Sequence, residues 1–222
     1  MTQWIRPGDC VLDVGANHGL FFARLLDLVG DAGSVHAFEP NDELVPKLRE
    51  LAAGRPAVVN EVGVSDHVGT AEFFVDARAA LGGVASSLEK LQGMHGTNNV
   101  KPVTIRLTSL DTYCSQQHIS PQFIKIDVEG HELGVLRGAA QTINRCRPIL
   151  VFEFWESWWS RGVKQIFDYL KRDYVLVRVE DGVVVNDWYE SHAGDGTVNI
   201  GCIPVLREPR QTLRTELLTS DT

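Results

Sequence analysis

The residues able to do chemistry concentrate in two stretches. The first is Asp13-Val14-Gly15-Ala16-Asn17-His18-Gly19, where an apolar run ends in an acid and opens into a glycine-bearing bend. Gly15 permits a tight turn and close approach of the backbone to a ligand, and Asn17 tolerates a positive φ better than most residues. Gly19 lets the helix that follows pack closely, and the bend presents helix N-terminal amides to a bound molecule. The dinucleotide fingerprint GxGxxG is not matched, because only positions 15 and 19 are glycine. Asp13 would repel a pyrophosphate, whereas it suits the ammonium and sulfonium charges of S-adenosylmethionine. Glu39, with Pro40 after it, ends the next apolar run a little over twenty residues on, where an acid accepts hydrogen bonds from ribose hydroxyls. A competing reading makes Glu39 a helix cap, but Asp42 is available for that task. Ser65-Asp66, after the third strand, falls where a hydroxyl and a carboxylate would meet the amino edge of an adenine; an ordinary turn explains the pair almost as well.

The second stretch is Phe123-Ile124-Lys125-Ile126-Asp127-Val128-Glu129-Gly130-His131-Glu132. Asp127 ends an apolar strand beside the expected methyl position, and it is a further candidate ligand of the donor. His131 and Glu132 begin the following helix. Methyl transfer to a hydroxyl is an in-line displacement that needs positioning and a group to take the proton. Asp127, His131 and Glu132 are the candidate catalytic residues, with a structural role for Glu132, bonded to amides of the turn, equally open. Asp127 and Glu153 end adjacent strands, and two carboxylates plus water would suit Mg²⁺. A buried Glu153 hydrogen-bonded within the fold is the preferred alternative. Trp155, Trp158 and Trp159 could wall an acceptor pocket or belong to the core.

Positioning these residues requires alternating strands and helices. Strands are expected at Cys10–Val14, Ser34–Phe38 and Ala57–Val62, with helices from His18 to about Val29 and Asp42 to about Ala53 between them. That order signals parallel crossover units and an open twisted sheet whose ligand sits at the carboxyl ends of the strands. Further strands are expected at Thr70–Val75, Val103–Leu107 (an edge), Phe123–Asp127, Pro148–Phe154, Tyr174–Val179 and Thr197–Val205, with helices at His131–Gly138 and Val163–Lys171. The stretch 79–99, rich in Gly, Ser and Asn, reads as a long loop, either a lid or substrate wall or a disordered insertion. Residues 1–206 form one domain, and 207–222 are a polar tail.

With Ser109-Leu110-Asp111, Val135-Leu136-Arg137-Gly138-Ala139 and Val151-Phe152-Glu153, these stretches closely resemble the FkbM-type methyltransferase family, in order, from Cys10 to about Val205. The resemblance implies an α/β, Rossmann-like class I methyltransferase sheet of seven strands, the last antiparallel, with helices on both faces. It implies S-adenosylmethionine as donor and a hydroxyl on a natural product or sugar as acceptor. About nine residues precede the first strand, so helices covering an acceptor pocket from that side are expected to be short or missing.

Composition narrows the field. The chain of 222 residues is 44 % hydrophobic and 23 % charged, enough for one full core and unlike a disordered chain. A formal net charge of -8 disfavours generic binding to nucleic acid or an anionic membrane, leaving a small-molecule acceptor and, compatibly, a homo-oligomer. Four cysteines without a CxxC pair argue against zinc or redox use, and Cys10, Cys146 and Cys202 are expected as buried thiols. No secretory core and no run of roughly 20 apolar residues is present, so the expected location is the cytoplasm. Two other readings remain: an NAD-dependent oxidoreductase, and a module that binds S-adenosylmethionine without turnover.

Overall fold

The computed structural model describes residues 3–76, 87–88, 100–155, 162–186 and 197–205. The apolar run at the start becomes β1 (Cys10–Val14), which lies at the centre of the main sheet between two parallel neighbours, β2 (Ser34–Phe38) and β7 (Phe123–Ile126). β3 (Ala57–Asn60) continues the sheet beyond β2, and β8 (Ile149–Trp155) lies beyond β7. β10 (Thr197–Pro204) then runs antiparallel to both β8 and the edge strand β9 (Tyr174–Arg178). The order is β3-β2-β1-β7-β8-β10-β9, seven strands with the last in sequence reversed, as the resemblance implied.

Both faces of the sheet are covered. On one, Val11, Val35, Ala37, Phe123 and Val151 pack against Phe22, Leu25, Leu26 and Val29 of α1 (Leu20–Val29) and Leu48 of α2 (Val45–Ala52). On the other, Leu12, Val14, Ile124, Ile126, Leu150 and Phe152 meet α3 (Leu110–Gln117), α4 (Glu132–Arg137), α5 (Ala140–Cys146) and α6 (Val163–Leu170). Side chains alternate along a strand, so Asp13, Lys125 and Glu153 share the α1 face with Val11, Phe123 and Val151. Three charged groups thus sit side by side at the carboxyl ends of the central strands. Leu20, the first residue of α1, is 81 % exposed.

Several expectations are corrected. The strand expected over Ala57–Val62 ends at Asn60 as β3 of the main sheet, and an unanticipated β4 (Gly63–Val64) joins a second, three-stranded sheet with β5 (Gly69–Asp76) and β6 (Val100–Thr108). The strand expected over Val103–Leu107 is therefore no edge of the main sheet but the middle of the small one. α3 and α5 were not anticipated, and together they account for Ser109-Leu110-Asp111. Ser109 Oγ accepts from Thr112 N at 3.1 Å and caps α3. Leu110 is fully buried, and the Asp111 carboxylate accepts from Gln141 N and Thr142 N, capping α5. At α2 the turn is held by Asn41 rather than Asp42: Asn41 Oδ1 accepts from Glu43 N at 3.1 Å. Of the cysteines, all free, Cys114 and Cys202 are buried, while Cys10 and Cys146 are half-buried. No helix among the described residues is long and apolar enough to cross a membrane. Trp158, Trp159, the Trp155 side chain and 207–222 lie outside the described residues.

Candidate functional site

The carboxyl ends of β1, β2 and β7 open into a cleft, the place where an open α/β sheet takes its ligand. Val14, Gly15 and Asn17 line it from the first loop, Phe38, Glu39, Pro40 and Leu44 from the second, and Asp127, Val128 and Glu129 from the third. Val62, Gly63, Val64, Phe73 and Leu88 form an apolar wall. Leu88, from the stretch read as a long loop, thus does reach the cleft; apart from Ser87 and Leu88, residues 79–99 lie outside the described ones.

The bend after β1 owes its shape to its glycine and asparagine. Gly15 has φ +80, and a Cβ there would stand 1.8 Å from the carbonyl oxygen of Asp127, so only glycine lets the first and third loops touch. Gly15 N and Ala16 N both donate to the Phe38 carbonyl at 3.0 Å, tying the first loop to the second. Asn17 adopts φ +49 and donates its backbone N–H to Glu39 Oε2 at 2.8 Å. Gly19 is also left-handed, at φ +83.

Glu39 is buried, and Oε1 accepts from Asn41 N at 2.9 Å. Its carboxylate therefore clamps two loops by their backbone while lining the cleft. Burial pushes its pKa up to about 7, against the two amides that favour its charge.

Behind the cleft, a lysine lies in a strand that is otherwise apolar. Lys125 is 3 % exposed, with Nζ 2.9 Å from Asp127 Oδ2, 3.7 Å from Asp13 Oδ1 and 4.5 Å above the Phe21 ring. Burial opposes its charge, yet Asp127 and Asp13 outweigh burial and hold the ammonium above its ordinary range. Asp13 itself is fully buried and does not line the cleft; burial raises it to about 6, with Lys125 pulling the other way. Asp127 also shares a side-chain hydrogen bond with Glu153, whose pKa burial and Asp127 together raise to about 7. The two carboxyls weighed as Mg²⁺ ligands thus do converge, with Lys125 as their cation. Among the described residues no group of three or more His, Cys, Asp or Glu is disposed to hold a metal.

The remaining candidates have structural partners. Glu132 is buried, and Oε1 accepts from Gly130 N at 3.2 Å and, weakly, Val128 N at 3.4 Å, which favours the structural reading of the two weighed. Burial raises it to about 7. His131 Nε2 lies 2.9 Å from Ser65 Oγ, and Ser65 Oγ donates to Asp66 Oδ1 at 3.2 Å. Ser65, Asp66 and His131 are not among the residues lining the cleft, whereas Val62, Gly63 and Val64 just before them are. Gly134 has its ideal Cβ position 2.3 Å from His131 Nε2. His131→Ala and Gly134→Ala should both free the Ser65 loop from α4. Each is expected to weaken ligand binding several-fold while leaving the pH dependence of activity in place, which fluorescence titration and a pH–rate profile will check. A vanished alkaline or acidic limb in His131→Ala would instead mark the imidazole as the proton acceptor.

Four buried carboxyls, Asp13, Glu39, Glu129 and Glu132, and the half-buried Glu153 surround this region, all with raised pKa values. A carboxyl whose folded pKa exceeds its unfolded value contributes stability below the unfolded value and loses it as pH rises through the folded one. The ligand-free protein should therefore show a melting temperature that falls from about pH 5 to about pH 9. A flat profile across that range would mean the acids are solvated or otherwise paired.

The cleft's chemistry can be tested against its expected ligand. Asn17 Oδ1 and Glu129 Oε2 are buried acceptors without a hydrogen-bond partner among the described residues, and both residues line the cleft. Orphaned acceptors and acids fit a ligand that brings hydrogen-bond donors and positive charge, as S-adenosylmethionine does, and penalise a pyrophosphate. Sequence reasoning overlooked Lys125. A lysine inside a buried apolar run is itself a signal, since such residues are seldom fully buried without a partner.

Comparison with known proteins agrees with this geometry. The model of the methyltransferase FkbM domain matches residues 13–176. The hexuronic acid methyltransferase AglP of Haloferax volcanii is 30% identical over 146 residues, 64% of this chain and 55% of that protein. The 31-O-demethyl-FK506 methyltransferase FkbM of Streptomyces tacrolimicus is 31% identical over 161 residues, 60% of each chain. The chain thus spans little more than half the length of these curated relatives. In fold it is similar to the crystal structure of methyltransferase FkbM from Methylobacillus flagellatus, with a TM-score of 0.55 at 17% identity over 88% of this chain and 43% of that one. Aeropyrum pernix fibrillarin, solved with natively bound S-adenosyl-L-methionine, superposes with a TM-score of 0.51 at 12% identity, covering 90% and 68%. With the family model extending from the acid of the first loop into the edge strand, the chain belongs to the FkbM methyltransferase family.

Proposed function

We propose that this chain transfers a methyl group from S-adenosylmethionine to a hydroxyl of a small molecule, a sugar or a natural-product scaffold. The observation that carries the reading is the acid-rich cleft with its unsatisfied acceptors, built by loops whose sequences match the family. A hexuronic acid and a demethylated FK506 are named for the two relatives, which supports an oxygen acceptor of that general kind. A cytoplasmic location and the absence of nucleic acid as a substrate belong to the same reading.

When bound, the donor supplies an electrophilic methyl on a cationic sulfur. Glu39 holds the ribose hydroxyls, and Asn17 accepts from the ammonium of the amino-acid portion through its Oδ1. Val62, Val64, Leu44 and Phe73 cover the adenine. Asp127, paired with Lys125, faces the cationic part of the donor, and a carboxyl beyond the end of β7 receives the acceptor's proton. Lys125 Nζ stands beside Asp127 where a divalent ion would otherwise bind, so the reaction proceeds in EDTA.

Calorimetry tests the reading directly. S-adenosylmethionine and S-adenosylhomocysteine should bind, and NAD should not. Binding of NAD in their place would return the chain to the oxidoreductases. Binding without methyl transfer to any of a panel of uronates and hydroxylated macrolides would favour a non-catalytic module.

A further inference from the structure

Three acids line the cleft among the described residues: Glu39, Asp127 and Glu129. Glu39 is bonded to two backbone amides, and Asp127 to Lys125 and Glu153. Glu129 differs. It is 8 % exposed, and its Oε2 is buried with no hydrogen-bond partner. Its backbone is left-handed, φ +55, a conformation that costs a non-glycine residue on the order of 1 kcal/mol or more and that persists only where its surroundings impose it. Those surroundings are identifiable. Ser87 Oγ donates to the Glu129 carbonyl at 2.7 Å, and the Glu132 carboxylate takes the N–H groups of Val128 and Gly130 on either side. The turn is clamped at its flanks and at its carbonyl, while the side chain lines the cleft without a protein partner.

The groups facing it are Asp127 from the end of β7, Glu153 from β8, Glu132 from α4 and Lys125 from β7. Burial, then repulsion from the three acids, pushes the Glu129 pKa up to about 9, with Lys125 opposing. A carboxyl so placed is neutral at pH 7 until a positive charge joins it. In a dry site its carboxylate is then a far stronger base than a solvated glutamate.

We propose that Glu129 is the catalytic base of the methyl transfer and that the arrival of the cationic donor readies it for that step. The proposal rests on the function proposed above. The step balances. The acceptor oxygen forms its bond to the methyl carbon as the C–S bond breaks, and the pair from that bond stays on sulfur as a neutral thioether. The hydroxyl proton passes to Glu129 Oε2. One positive and one negative charge disappear together, so the cleft becomes neutral where both existed. The proton then leaves to solvent when the next donor binds. Donor therefore binds before acceptor.

The test needs no acceptor. Calorimetric titrations of the wild-type protein at pH 7.5, in phosphate and in Tris, report protons released on binding. S-adenosylmethionine should release at least about 0.5 proton more per site than S-adenosylhomocysteine, which lacks the sulfonium charge. In Glu129→Gln that excess should vanish, with S-adenosylhomocysteine affinity within about threefold of wild type. S-adenosylmethionine affinity should rise with pH from 7 to 9 in the wild type and not in the variant. Equal proton release by the two ligands overturns the proposal while leaving the donor assignment standing. An excess that survives in Glu129→Gln also overturns it, since another carboxyl would be the source. Failure of both ligands to bind would remove the donor assignment itself. The wild-type comparison of the two ligands does not depend on the variant's folding.

Discussion

Lys125→Met is expected to destabilise the ligand-free protein by about 3–5 kcal/mol, the range found when one partner of a buried ion pair is removed and the other is left. Methionine matches the length of the lysine stem and keeps contact with the Phe21 ring, so the cavity contribution is small. What is lost is the only cation within 4 Å of Asp13 and Asp127 among the described residues. The fully buried Asp13 would then take up a proton or draw water into the sheet. The deficit should grow with pH. Without the ammonium the folded pKa values of Asp13 and Glu153 climb further above their unfolded values, and carboxyls raised in this way lose their stabilisation as pH rises through the folded value. Urea denaturation at pH 5 and pH 8 measures this; the variant should lie nearer the wild type at pH 5. A pH-independent deficit would mean that packing, rather than charge, is what Lys125 supplies. S-adenosylmethionine should recover part of the loss, being itself a cation delivered to the cleft that Asp127 lines, and S-adenosylhomocysteine less.

Glu39→Ala is expected to weaken donor binding by about 100-fold, or roughly 2.7 kcal/mol. The side chain does two things at once. It accepts from Asn17 N and Asn41 N, which holds the first two loops in register. It also offers its remaining lone pairs to the cleft. Hydrogen bonds to a charged acceptor contribute about 1.5–3 kcal/mol each, and the alanine would leave two buried N–H groups unmet in addition to the lost ribose contacts. The melting temperature of the ligand-free protein should therefore fall as well. Glu39→Gln separates the two roles only in part, because its amide must turn an N–H toward one of the two backbone N–H groups. Adenosine alone isolates the nucleoside contribution. If its affinity is unchanged in Glu39→Ala, the carboxylate only braces the loops.

Much of this was legible in the order of residues. The alternation of apolar runs with helical patterns from Cys10 to Asn60 predicts the parallel half of the sheet, because hydrophobic period and glycine stops are local properties. The acids at 13, 39 and 127 are visible as strand-terminal residues for the same reason. Asn17 was expected to tolerate a positive φ, and it has one. The small sheet was not legible. β4 is two residues long, and no periodicity distinguishes it from the end of β3; its partner β6 lies more than forty residues away. α5 escaped notice because its start is capped by Asp111, a residue remote in sequence.

Residue order determined which groups stand at strand ends, since that depends on near-neighbour pattern alone. Which of those groups meet, and in what ionisation state, depended on packing. Asp13 looks like a ligand-facing acid, yet strand alternation turns it inward to Lys125. His131 looks like a base, yet it lies against Ser65, sixty-six residues distant. Glu129 looks like an ordinary turn acid, yet burial and three acidic neighbours push its pKa up to about 9. Burial and proximity set the charge of such groups, and neither exists until strands far apart in the chain lie side by side.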